Sequence, residues 1–121
     1  MLESGENYLE TIYVLSKNST GVHAIDVANA LNFSKPSVTR ALGILKTKGY
    51  LYIDADNHIM LTDTGQIKAK DIYDRHQVIT QFWILKGVSP ETAAKDACRM
   101  EHDISEETLD CIKKFVQSHN K

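Results

Sequence analysis

The sequence predicts a mainly α chain, with an N-terminal winged helix-turn-helix over residues 1–62 followed by an all-helical unit over residues 63–121. Three patterns predict it. Two short amphipathic helical segments are separated by a turn of about three residues after Leu31. Two alternating apolar runs flank the turn-forming stretch Asp54-Ala55-Asp56-Asn57. The rest of the chain carries helical periodicity punctuated by strong helix starts.

In chain order, Ser4 is expected to cap a first helix with Glu6 in its first turn, and Tyr8, Leu9, Ile12, Tyr13 and Leu15 supply its apolar stripe. Asn18 to Gly21 breaks the pattern. Ile25, Ala28 and Leu31 then mark a second helix that ends at Asn32-Phe33. Ser34 caps a third, Pro36 suits its first turn, and Val38, Ala41, Leu42 and Leu45 form its buried face. Leu51 and Ile53, then Ile59 and Leu61, alternate with polar neighbours as a β-hairpin with His58 near its tip. Thr62 or Asp63 starts a fourth helix on which Ile67, Ile72, Ile79 and Trp83 are spaced along one face until Lys86-Gly87. At 1.5 Å per residue that helix spans about 36 Å, too long for the small N-terminal unit alone. Ser89-Pro90-Glu91 opens a fifth helix and Ser105-Glu106-Glu107 a sixth, with Leu109, Ile112, Phe115 and Val116 on the latter's apolar face.

Composition narrows the function classes. A net charge of -2 does not suggest a nucleic-acid binder overall, but Ser34 to Tyr50 holds four basic residues and no acidic one. That stripe lies opposite the apolar face of the third helix. In a winged helix this element enters the major groove of double-stranded DNA while the hairpin lies along the backbone. With only two cysteines, Cys98 and Cys111, the chain is no disulfide-stapled domain. No leader pattern or membrane-length apolar run occurs, so a cytoplasmic protein without a membrane partner is expected. Phe82, Trp83, Leu85 and Met100 exceed what a small helical unit buries for itself, which points to a homodimer.

Cys98, Glu101 and His102 stand at i, i+3 and i+4. On a helix, these would share one face within reach of a single ion. The competing reading makes Cys98 a small buried hydrophobe and the other two surface groups. Asn7 and Glu10 on the first helix and His76 on the fourth are further potential ligands, although a lone histidine on an apolar stripe is an ordinary core residue. Mixed nitrogen, oxygen and sulfur donors suit first-row divalent metals.

The chain resembles the diphtheria-toxin-repressor family of metal-dependent transcriptional repressors, including its manganese-sensing branch. The resemblance is carried by Glu6-Asn7-Tyr8-Leu9-Glu10-Thr11-Ile12-Tyr13, Ser34-Lys35-Pro36-Ser37-Val38-Thr39, Leu61-Thr62-Asp63-Thr64-Gly65, Tyr73-Asp74-Arg75-His76, and Asp96-Ala97-Cys98-Arg99-Met100-Glu101-His102. It implies a homodimeric repressor, not an enzyme, that binds a palindromic operator when loaded with iron(II) or manganese(II). Zinc(II), cobalt(II) and nickel(II) are able to occupy such donors in vitro. Cys98, Glu101 and His102 match the family's primary ligands, His76 matches a ligand of both branches, and Glu10 matches a carboxylate of the manganese branch. Asn7 departs from the family's methionine or aspartate, and Thr80 and Ala94 replace further ligands of the iron branch. For DNA, the resemblance points to Ser34, Pro36, Ser37, Thr39 and Arg40, with Lys35 as a phosphate contact.

Because Asn7 and Glu10 belong to the reader and the other ligands to the helical unit, a shared ion is expected to fix the two recognition helices of a dimer at operator spacing. Three rivals make different predictions. A redox sensor would use Cys98 with Cys111 as resolving thiol. An effector-free DNA-binding dimer would take up no metal. A metalloenzyme would use Glu101 as base, yet its glutamate is not flanked by the two histidines of a hydrolase helix.

Overall fold

The computed structural model describes residues 3–19 and 21–119. Its elements are α1 (Glu3–Asn18), α2 (Ala24–Leu31), α3 (Lys35–Thr47), β1 (Leu51–Ile53), β2 (Ile59–Leu61), α4 (Asp63–Leu85), α5 (Pro90–Met100) and α6 (Glu106–His119). They form two compact units, residues 1–70 and 71–121.

The first unit is a winged helix-turn-helix. Tyr8, Leu9, Ile12 and Tyr13 of α1 are buried with Val27 and Ala28 of α2 and with Val38, Leu42 and Leu45 of α3. α1 starts at Glu3, so Ser4 lies inside its first turn, and the cap expected of the Ser4 side chain lies outside the described residues. On α2 the inward position is Val27; Ile25, read as core, is 52% exposed. α2 ends where Asn32 turns left-handed at φ 57, its N–H donating to the Ala28 carbonyl. Asparagine tolerates that conformation, and three residues later the chain is already in α3. The strands pair antiparallel with Tyr52 opposite Met60, and the Ile59 N–H donates to the Val22 carbonyl at 2.7 Å, tying the hairpin to the start of α2. Leu51 and Ile59 are buried, whereas Ile53 is exposed.

Thr62 is the residue that starts α4. Its hydroxyl donates to the Gly49 carbonyl at 2.6 Å and accepts the Gly65 N–H at 3.0 Å. Gly65 lies so close to Tyr50 that an added Cβ would stand 1.8 Å from its carbonyl oxygen, so only glycine fits. Lys68 extends this attachment with an ion pair to Glu6 at 3.4 Å. The first two turns of α4 therefore belong to the first unit, and the division falls within the helix.

The second unit holds the rest of α4 with α5 and α6. Ile79, Ala97 and Leu109 are its fully buried centre, surrounded by Val78, Trp83, Met100 and Ile104. The indole N–H of Trp83 donates to the Met100 sulfur at 3.1 Å. Ser89 caps α5 and Ser105 caps α6, accepting the N–H of Thr92 and Thr108 respectively. α4 ends near Gly87 at φ 102, a left-handed value that glycine adopts freely. Ile67, expected on the buried stripe of α4, is 73% exposed, and Ala69 is buried in its place. Five residues before Ile72, Ile67 is rotated about 140° from it at 3.6 residues per turn.

Candidate functional site

Two places in the molecule concentrate chemistry. The first is the outer face of α3. Ser34 caps the helix by accepting the Ser37 N–H at 3.3 Å, and its own hydroxyl donates to Ser37 Oγ at 2.8 Å. The cap fixes the first turn, and with Val38 turned inward the side chains of Ser34, Lys35, Pro36, Ser37, Thr39 and Arg40 are all exposed. Lys46 and Lys48 extend the cationic face toward the helix end. Hydroxyls and cations on one helix end suit phosphate oxygens, and a guanidinium there can reach base edges.

Beside α3 stands the hairpin tip, organised by one carboxylate. Asp54 Oδ1 accepts the N–H groups of Asp56 and His58, each at 2.9 Å, and Oδ2 lies 3.2 Å from His58 Nδ1. The bond from the His58 N–H, then the one from Asp56 and the neighbouring imidazole, hold the Asp54 carboxyl below the usual carboxylate range against a smaller opposing effect of burial. Asn57 takes the left-handed conformation at φ 64 that closes this loop. The His58 ring meets that of His23 edge-on, 4.7 Å between centroids. Asp54 and Asn57 were legible only as turn formers in the sequence. Asp54's bonds to the N–H groups two and four residues ahead are what a short Asx turn provides.

The second place is in the helical unit, where α4 meets the end of α5. His76 Nδ1 lies 2.9 Å from Glu101 Oε2. Glu101 is 2% exposed, and its other oxygen, Oε1, is buried without a hydrogen-bond partner. His102 Nε2 stands 3.3 Å from that oxygen, outside hydrogen-bonding geometry. Cys98 is half-buried one turn earlier. α5 ends at Met100, so the helical spacing expected of Cys98, Glu101 and His102 runs only as far as its C-cap. Glu101 is its C-cap, and residues 101 to 103 form a turn. That turn is closed by the Asp103 and Ile104 N–H groups, both donating to the Met100 carbonyl at 3.0 and 3.1 Å. Ser105 then caps α6. Among the candidate ligands, His76 and Glu101 each bring a ligand atom within 4.8 Å of the other.

These residues fit a divalent metal. A buried carboxylate oxygen that nothing satisfies, facing an imidazole nitrogen, is costly unless a cation takes both. Two donors each about 2.1 Å from one ion stand roughly 3.0–3.4 Å apart in octahedral or tetrahedral arrangement, the range in which the Glu101–His102 distance falls. Asn7 and Glu10 are half-buried on α1 in the first unit. Cys111 is exposed on α6, and neither cysteine is in a disulfide. Sequence reading did not single out Arg75 for any role. Its signal was a cation directly preceding a candidate ligand histidine.

Comparison with known proteins bears on both places. Residues 1–59 match the model of the iron-dependent repressor N-terminal DNA-binding domain, and residues 62–121 that of the iron-dependent repressor metal-binding and dimerisation domain. The chain is 37% identical over 114 residues to the transcriptional regulator MntR of Escherichia coli O6:H1, covering 94% of this chain and 74% of that one. It is 34% identical to a helix-turn-helix transcriptional regulator of Methanocaldococcus jannaschii, covering 97% of this chain and 95% of the relative. Among solved structures, the manganese regulator SloR superposes with a TM-score of 0.83 at 25% identity, over 93% of this chain and 53% of that one. The metal-dependent transcriptional regulator MtsR superposes at 0.86 with 24% identity, again over 93% and 53%, a likeness of fold. The chain thus spans about half the length of these two solved proteins.

Proposed function

The chain belongs to the iron-dependent repressor family of metal-dependent transcriptional regulators, and from that premise we propose that it represses transcription as a homodimer on a palindromic operator when loaded with manganese(II) or iron(II). Residues 1–62 would read DNA, and residues 63–121 would hold the metal and the dimer partner.

In the reader, Arg40 makes the base-specific contact, its fork matched to the two acceptors of guanine. Lys35, with the hydroxyls of Ser34, Ser37 and Thr39, holds the phosphates that set the register, and Pro36 fixes the first turn from which they project. In the helical unit, His76, Glu101 and His102 would hold the ion, with Cys98 as a further donor. Asn7 and Glu10 are assigned as ligands from α1 on their sequence correspondence to the family. When bound, the ion supplies a fixed positive charge that satisfies the buried carboxylate and fixes its neighbours' positions. Glu101 stands between the two imidazoles, one oxygen paired with His76 and the other left for an ion, which is why it carries more of the site than any single neighbour. By linkage, operator DNA raises metal affinity by the same factor by which metal raises operator affinity.

The observation that carries this reading is Glu101, buried between His76 and His102 with one oxygen unsatisfied. The test is calorimetric titration of anaerobic metal-free protein with manganese(II) and then iron(II), repeated on Glu101→Ala and Cys98→Ala. Saturable binding at one or two ions per chain that disappears in Glu101→Ala is expected. Binding no stronger than to buffer would overturn the reading and return attention to Cys98 and Cys111 as thiols or to an effector-free dimer. Cys98→Ala is expected to weaken iron(II) more than manganese(II), since sulfur is the softer donor.

A further inference from the structure

We propose that Arg75 is a positioning residue of the metal centre, strapping the turn that carries Glu101 and His102 to the helix that carries His76. The inference rests on the metal-binding reading above and concerns how its ligands are held. His76 belongs to α4, whereas Glu101 and His102 lie beyond the end of α5 in a turn of five residues before α6. The Glu101 N–H still donates to the Ala97 carbonyl and the turn closes on the Met100 carbonyl, bonds that fix the turn to α5 and not to α4. The His76–Glu101 distance of 2.9 Å therefore also depends on whatever holds residues 101 to 105 against α4.

Arg75 does this from the position next to His76. Its side chain is 14% exposed. One terminal nitrogen donates to the Ile104 carbonyl at 3.4 Å; the other lies 3.5 Å from Glu106 Oε1 and 3.9 Å from Asp71 Oδ2. The Ile104 side chain packs on the Ile79–Ala97–Leu109 centre, so the strap and the core act on the same residue. A carbonyl and a carboxylate on either side of the cap residue Ser105 are a geometry that a planar fork reaches together and a lysine ammonium, a single point of donation, does not.

The grip is incomplete. Among the described residues, two buried side-chain polar atoms lack a hydrogen-bond partner, and they are Arg75 Nε and Glu101 Oε1. Both orphans bear on one short turn, one on the strap and one on the ligand. Arg75's two bonds are also at the long end of the hydrogen-bond range. A settling of the turn toward α4 would shorten the Arg75 contacts while drawing Glu101 and His102 with it. Residues that orient ligands in this way change metal affinity without touching the metal.

Manganese(II) affinity by competition titration and the optical spectrum of the cobalt(II)-loaded protein, measured on Arg75→Met, Arg75→Lys and Glu106→Gln, test the proposal. Arg75→Met is expected to weaken manganese(II) about tenfold or more and to alter the cobalt(II) bands, which report ligand geometry and which a loss of stability alone would not move. Arg75→Lys is expected to recover only a minor part of that affinity, and Glu106→Gln to lose less than Arg75→Met. Folded Arg75→Met with unchanged affinity and an unchanged cobalt(II) spectrum would overturn the strap while leaving the metal reading intact. Failure of the unsubstituted protein to bind manganese(II) would instead remove the metal reading itself, and the strap with it. Should Arg75→Met not fold, Arg75→Lys decides: weakened binding at an unchanged thermal midpoint supports the strap, and unchanged binding overturns it.

Discussion

The proposed recognition helix and the proposed ligand turn present their side chains in opposite ways. On α3, Ser34, Lys35, Ser37, Thr39 and Arg40 stand along the first turns of a capped helix and face outward, while Val38, Leu42 and Leu45 anchor the other side. At the end of α5, Glu101 and His102 stand past the last helical residue and face inward, held by contacts from α4 and from the next helix cap. A rigid element displays a fixed pattern to a fixed partner such as a DNA groove. A turn leaves ligands free to converge when an ion arrives, and so suits a site whose occupancy must change the protein.

Gly65→Ala should make the largest difference, because it attacks the frame of the reader rather than its surface. The new Cβ meets the Tyr50 carbonyl, and a destabilisation of about 3 kcal/mol is expected from overpacking against backbone. Urea denaturation followed by circular dichroism measures it. A loss below about 1 kcal/mol would mean that α4 starts elsewhere in solution.

Arg40→Ala is next. It should cost ~1–3 kcal/mol at the operator and relax discrimination at one base pair, whereas Lys35→Ala should weaken all sequences alike and flatten the salt dependence by about one ion. Binding isotherms at several salt concentrations separate the two. Equal effects on specific and random DNA from Arg40→Ala would place it on phosphate instead.

The comparison is sharpest in its caps. Ser34→Ala and Ser105→Ala each remove one hydroxyl from a helix N-terminus and should each cost about 1 kcal/mol of stability. Only Ser105→Ala should also weaken manganese(II) binding, because its cap sets where the ligand turn must end. Calorimetry on both variants checks this, and an equal loss of metal affinity in the two would erase the distinction between display and convergence.

The smallest effect belongs to the hairpin tip. Asp54 titrates below its ordinary value because it accepts the His58 N–H. A depressed carboxyl contributes stability that is complete above the unfolded value of about 3.9 and is lost as pH falls through the folded value. Asp54→Asn should therefore flatten the acid limb of the thermal midpoint below about pH 4 and leave it nearly unchanged at neutral pH. An unaltered acid limb would show that the carboxylate does not organise the tip.

Local chemistry is what made the fold legible. Ser34, Ser89 and Ser105 announce helix starts because a cap is a contact between residues three apart, and the alternation of Leu51 and Ile59 with polar neighbours announces the hairpin. Helix ends were harder. Glu101-His102-Asp103-Ile104 contains no glycine or proline to announce the end of α5; the Asp103 and Ile104 N–H groups, which close on the Met100 carbonyl, mark it only in the structure. Ile25 and Ile67 were read inward because they are apolar, yet the packing partner of each element selects Val27 and Ala69 instead. At the proposed metal centre the candidate ligand types were readable and their pairing was not. The pairing of His76 with Glu101 joins residues 25 apart in sequence, and only the tertiary fold brings them together.

The contact between Trp83 and Met100 has an optical consequence. This chain has one tryptophan, and its indole N–H ends on a sulfur one residue before Glu101. A shift that moves the end of α5 changes what that indole donates to, so its fluorescence is a label-free gauge of the residue from which the turn departs. Oxidation of Met100 to the sulfoxide would replace a weak sulfur acceptor with a strong oxygen one, and the emission of Trp83 would register that damage as well.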